Sequence, residues 1–144
     1  MPRNASRPLS PHLTIWRWGP HMLVSILHRA TGVTMATAGV AVFVWWLAAL
    51  AAGPDAYATF SYWLIRADAG DGLGFAANIL ARVAAVGLTW AFFQHLCSGL
   101  RHLLLDTGAG YELRVNKKGA LATMIISTVL TAIAWGSVLL GGQG

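Results

Sequence analysis

The chain has 144 residues, a length that fits one domain. Hydrophobic residues make up 56% and charged residues 10%, against roughly 25% charged in soluble domains, so an ordinary water-soluble globule is excluded. The net charge of +5 does not point to nucleic acid, because the basic residues sit beside apolar segments, where they read as topology signals.

In chain order, residues 1–21 are polar and proline-bearing, with Arg3, Arg7 and Arg17. No short apolar core followed by a small-residue cleavage site is visible, so a cleavable signal peptide is not expected. The segment reads as an extended or interfacial lead-in to a single three-span transmembrane domain over residues 22–144. Apolar runs predict helices at about 22–52, 74–105 and 119–140, each holding the roughly 20 residues that cross a bilayer. The expected fold class is an all-α membrane protein. The only cysteine, Cys97, rules out an internal disulfide and any multi-cysteine metal site; in an apolar helix it reads as a small buried hydrophobe.

Charge bias orients the spans. The N-terminal segment through Arg29 has four arginines and no acid, and the second connection has Arg114, Lys117 and Lys118 against Glu112. The first connection has Arg66 against Asp55, Asp68 and Asp71. The positive-inside rule then places the N-terminus and the second connection in the cytoplasm, with the C-terminus outside. Trp45, Trp46, Trp63 and Trp135 fall where an outer aromatic belt is expected, whereas Trp90 lies well inside the second span and reads as helix packing.

This topology brings distant polar residues to one membrane face. Ser25, His28 and Arg29 open the first span at i, i+3 and i+4 and share a helix face. Arg101, His102 and Asp106 close the second span at the same side. His95 lies seven residues before His102, about 10 Å deeper in the hydrocarbon. His95, Gly99, His102 and Asp106 form one stripe at spacings 0, 4, 7 and 11, and Gly99 leaves it bare between the histidines. A flat, bulky group could approach the backbone there.

Each residue also has a plainer explanation. A lone intramembrane histidine can bond across a helix interface. Arg29 and Arg101 can snorkel to headgroups, Asp106 can be solvated, and Ser25 can bond its own helix. Those explanations leave the convergence of a deep histidine and a His/Arg cluster from two helices without a cause. Haem supplies one: it takes an axial imidazole in an apolar pocket, and its propionates need cations at the wet edge. His95 has the depth for the iron, and His28, Arg29, Arg101 and His102 have the position for the propionates. A quinone is the second guest, with Ser25 and Arg29 as donors to its carbonyls. If haem is bound by two histidines, only His95 is deep enough in this chain, and the second must then come from another chain.

Three stretches, "RPLSPHLTIW" (7–16), "SILHRATG" (25–32) and "HLCSGLRHLLLD" (95–106), resemble the signatures of the cytochrome b anchor subunits of succinate dehydrogenase, over nearly the whole chain. The resemblance implies a bacterial inner-membrane, multi-pass subunit of a succinate:quinone oxidoreductase with no complete active site of its own. His95 would be the axial ligand of haem b. Ser25 and Arg29 would help form the ubiquinone site, while His28, Arg101 and His102, with Gly99, would surround the haem and its propionates. Asp106 would lie near the quinone or on a proton path to it. The implied partners are a second membrane anchor, an iron–sulfur subunit and an FAD-containing flavoprotein, in a lipid bilayer and without nucleic acid. Residues 7–13 would lie along the iron–sulfur subunit as an extended strap. The anchor of a quinol:fumarate reductase, a haem-free structural anchor and a proton-relaying transporter subunit are the competing readings.

Overall fold

The structure, a computed structural model, describes residues 17–66 and 71–141. The strap expected at residues 7–13, with Arg3, Arg7, Trp16 and Asp68, lies outside the described residues. All regular elements among the described residues are helical.

Helix α1 (Pro20–Thr34) opens with Pro20 in its first turn, where the missing N–H costs nothing and the fixed φ suits the helix. The Gly19 carbonyl accepts from the backbone N–H groups of Met22 and Leu23. A π-helical segment, Met35–Gly39, joins α1 to α2 (Val40–Ala52), so that Pro20–Ala52 forms one span of 33 residues. Thr31, Thr34 and Thr37 donate their hydroxyls to the carbonyls of Leu27, Ala30 and Val33. Such back-bonding loosens the ladder around the π segment and bends helices.

Gly53–Pro54 ends the first span, and a short helix, α3 (Pro54–Ser61), follows, running into a π-helical turn at Tyr62–Arg66. Asn78, itself buried, ties that turn down by donating to the Tyr62 and Trp63 carbonyls at 2.8 and 2.9 Å. The sequence reading had no helix in this connection. Asp55 in its first turn and the Pro54 start are the local signals for it.

Helix α4 (Gly72–Asp106) and helix α5 (Leu113–Gly141) complete the fold. All three spans are long and apolar enough to cross a membrane. Helix α5 begins at Leu113 rather than at 119, so Arg114, Lys117 and Lys118 belong to its first turns and not to a loop. The true turn is residues 107–112, where Gly108 and Gly110 take φ values of +86° and +82°, a backbone region open to glycine. Basic residues mimic a loop by composition, yet arginine and lysine are good helix formers.

Helices α1, α4 and α5 pack against one another, whereas among the described residues α2 packs only against α3 and the π segment Met35–Gly39. The up–down–up course brings the start of α1, the end of α4 and the start of α5 together. Polar side chains stitch the interfaces. Gln94 is fully buried and accepts from the Ser127 hydroxyl at 2.7 Å. Trp90 donates to Thr128 and Trp135 donates to Thr89, each at 3.3 Å. Trp135 is thus held against α4 as well as near the helix end. Within the three spans only 6–11% of the most apolar stretch is buried, so the chain presents most of its apolar surface outward, to lipid or to other chains.

Candidate functional site

Three histidines meet between α1 and α4. The rings of His28 and His95 stack with centroids 4.0 Å apart and planes 9° from parallel. His102 meets His28 edge-on at 5.0 Å. They come together because His28 lies on the face of α1 turned to α4, and His95 and His102 lie one heptad apart on α4.

Hydrogen bonds fix the tautomer of His95. Its Nδ1 lies 3.0 Å from the His28 carbonyl, and a carbonyl only accepts, so Nδ1 carries the proton. The Thr31 hydroxyl, whose own proton goes to Leu27 at 2.7 Å, lies 3.3 Å from the same Nδ1. In the neutral ring Nε2 is then the atom with the free lone pair. Metal-binding imidazoles have this arrangement, with the remote nitrogen donating to a carbonyl that orients the ring and raises its basicity. Among the described residues no three histidine, cysteine or carboxylate side chains converge to hold a metal ion by themselves. A free Nε2 of this kind would suit the iron of a haem, which takes an imidazole in an apolar pocket.

Gly32 makes the packing possible. A Cβ built on it would stand 2.9 Å from Cε1 and 3.3 Å from Nδ1 of His95. Gly32→Ala is therefore expected to displace the His95 ring and to cost about 1–3 kcal/mol by overpacking. The check is the thermal midpoint of the purified assembly together with its haem-to-protein ratio; both should fall.

The remaining expected residues divide into three positions. Gly99 faces His28, but a Cβ there would meet only Cε1 at 3.7 Å, an ordinary contact. The close approach within this chain is at Gly32, and space beside Gly99 matters only to a group from outside. Arg101 is half-buried and donates to the Asn116 side chain at the start of α5, so its contact runs to α5 and not to the histidines. Ser25 is half-buried and Arg29 exposed on α1, where Arg29 borders a shallow groove with Ile26, Ala30, Val33 and Thr34. Neither side chain makes a hydrogen bond or ion pair among the described residues. Asp106 is exposed as the last residue of α4.

Sequence reasoning missed Ser98 and Thr31. Gly32, with Gly39, reads in the sequence as a close-packing position on the first helix, and at Gly32 the structure shows the close approach, to His95. Ser98 is fully buried, and its Oγ lies 2.7 Å from His28 Nδ1. A signal was present: Thr31 and Ser98 each follow a histidine by three residues, the spacing that puts them on its helix face.

Comparison with known proteins identifies the family of the chain. Residues 3–134 match the model of the family described as succinate dehydrogenase/fumarate reductase transmembrane subunit. The succinate dehydrogenase cytochrome b556 subunit of Paracoccus denitrificans is 36% identical over 130 residues, covering 90% of each chain. That of Rickettsia felis is 31% identical over 129 residues, also covering 90% of each. The mitochondrial cytochrome b560 subunit of Sus scrofa is 32% identical over 130 residues, which are 90% of this chain and 70% of the relative. With its three apolar helices, the chain is a multi-pass inner-membrane protein belonging to the family of succinate dehydrogenase/fumarate reductase transmembrane subunits.

Proposed function

We propose that this chain is the membrane-anchor subunit of a succinate dehydrogenase, binding haem b and helping to form the ubiquinone-reduction site. The observation that carries the reading is the His95 ring, whose Nδ1 is engaged by the His28 carbonyl so that Nε2 is left for a metal. The cytochrome names of the relatives accord with it. Bound there, haem b would supply a one-electron redox centre, held by His95 of this chain and by an imidazole of a second anchor subunit packed on the open apolar faces.

The histidine end faces the cytoplasm, a reading that the arginines of the N-terminal segment and Arg114, Lys117 and Lys118 support. Residues 1–21 form the cytoplasmic lead-in and 22–144 the transmembrane domain. At this end an iron–sulfur subunit docks and, with an FAD-containing flavoprotein, delivers electrons from succinate. His28, His102 and Arg101, beside Gly99, offer donors and positive charge to the haem propionates; one Arg101 nitrogen is engaged by Asn116, and the guanidinium has others to give. Arg29 and Ser25 act on the quinone: the guanidinium stabilises negative charge developing on a carbonyl oxygen, and the hydroxyl donates a hydrogen bond. Asp106, exposed at the end of α4, can pass protons from the aqueous side. The family also covers fumarate reductase, and the quinone pool and the soluble subunits set the direction.

Removing the chain from its host and restoring it from a plasmid tests this assignment. Membrane-bound succinate–ubiquinone reduction should vanish and return with the plasmid, while succinate-driven dye reduction persists in the soluble fraction. Unchanged quinone reduction in the deletion strain would refute it.

A further inference from the structure

We propose that Ser98 is a positioning residue for the haem ligand, acting on His95 through the His28 ring. The proposal rests on the reading of His95 as an axial ligand, and concerns what holds that ligand still.

Ser98 sits on α4 one turn beyond His95 and is fully buried. Its hydroxyl has one proton. The Gln94 carbonyl, 2.7 Å away in the same helix, accepts it, so the oxygen is free to accept the Nδ1–H of His28 across the helix interface, also at 2.7 Å. His28 touches His95 twice: its carbonyl takes the His95 Nδ1–H at 3.0 Å, and its ring lies parallel to the His95 ring at 4.0 Å. The two helices therefore exchange bonds, one from His95 to α1 and one from His28 back to α4. The backbone carbonyl holds one nitrogen of His95, but one bond does not stop the ring turning about it. The stacked His28 ring does, and Ser98 is the only side chain among the described residues that hydrogen-bonds that ring.

Serine in an apolar helix commonly bonds a carbonyl of its own helix and does nothing else. That role needs no second helix. The contact across 70 residues of sequence is what the proposal adds. Its consequence concerns the haem: bonds to an axial ligand and the orientation of its ring tune the iron's potential.

The test uses the purified, assembled complex carrying Ser98→Ala, Ser98→Thr or His28→Phe. The readouts are the low-spin ferric haem g-values, which follow the angle between the axial imidazole planes, and the midpoint potential. Ser98→Ala should keep haem content and dye-linked succinate oxidation while shifting both readouts. Ser98→Thr keeps the hydroxyl and should restore them. His28→Phe keeps a flat ring without the Nδ1–H, and adding Ser98→Ala to it should produce no further shift, as coupled residues require. Wild-type g-values and potential in Ser98→Ala would overturn the proposal, as would equal haem loss in the alanine and threonine variants, which marks a packing role. Haem retained unchanged in His95→Ala would instead remove the ligand assignment beneath it, a separate result.

Discussion

Replacing Arg29 by alanine is expected to cut succinate–ubiquinone reduction on the order of 100-fold, the usual loss when one preorganised charge-stabilising donor is removed. Succinate oxidation by a water-soluble dye should stay near the wild-type rate, because the flavoprotein and iron–sulfur centres are untouched. The physical reason lies in the placement of Arg29. It is exposed on α1, one residue beyond His28 in the histidine cluster, with no internal partner among the described residues. A guanidinium at the edge of the hydrocarbon without a protein carboxylate is free to pair with an oxygen that gains charge only during reduction. Arg29→Lys keeps the charge but loses the planar fork, and should fall between wild type and alanine. Equal loss of the quinone and dye activities would mean failed assembly rather than a quinone role.

Much of this arrangement was legible in the chain. Three apolar runs and the bias of Arg and Lys defined the spans. Once α1 and α4 run antiparallel, helix length brings His28 to the end of α4 that carries His102. That its ring stacks on His95, a residue expected about 10 Å deeper than His102, was not legible. Other features required rotation about the helix axes, which spacing does not report. Arg101 looks equivalent to His102 in sequence, yet it turns to Asn116 on α5 while His102 meets His28. Gly99 drew attention because it lies between two histidines, but Gly32, on the opposite helix, is where a side chain would strike His95. Ser98 and Thr31 were hidden by their chemistry. Small hydroxyl residues in apolar helices ordinarily bond their own backbone, and their second contacts cross 70 and 64 residues of sequence. The start of α5 was misplaced because its lysines and arginine resemble a loop in composition and not in propensity.

On the proposed reading, the ring contacts explain why a second imidazole would come from another chain. A second imidazole ligand would have to face His95 Nε2. His28 is the closest ring, but it stacks on the His95 face at 4.0 Å, and its Nδ1 is engaged by Ser98. His102 is bound edge-on to His28, seven residues nearer the helix end. The described residues thus offer one free imidazole nitrogen and a set of cationic and donor groups, and the exposed apolar faces of α2 and α4 would accept the chain proposed to bring the other ligand.

The most direct measurement is therefore the reduced-minus-oxidised optical spectrum of the purified complex carrying His95→Ala, scaled to protein and checked for assembly by dye-linked succinate oxidation. Alanine removes the Nε2 lone pair and leaves the rest of the cluster, so the b-type haem signal should be lost, or survive only as a high-spin remnant, while dye reduction continues. A full bis-imidazole b-type signal in that variant would contradict the account.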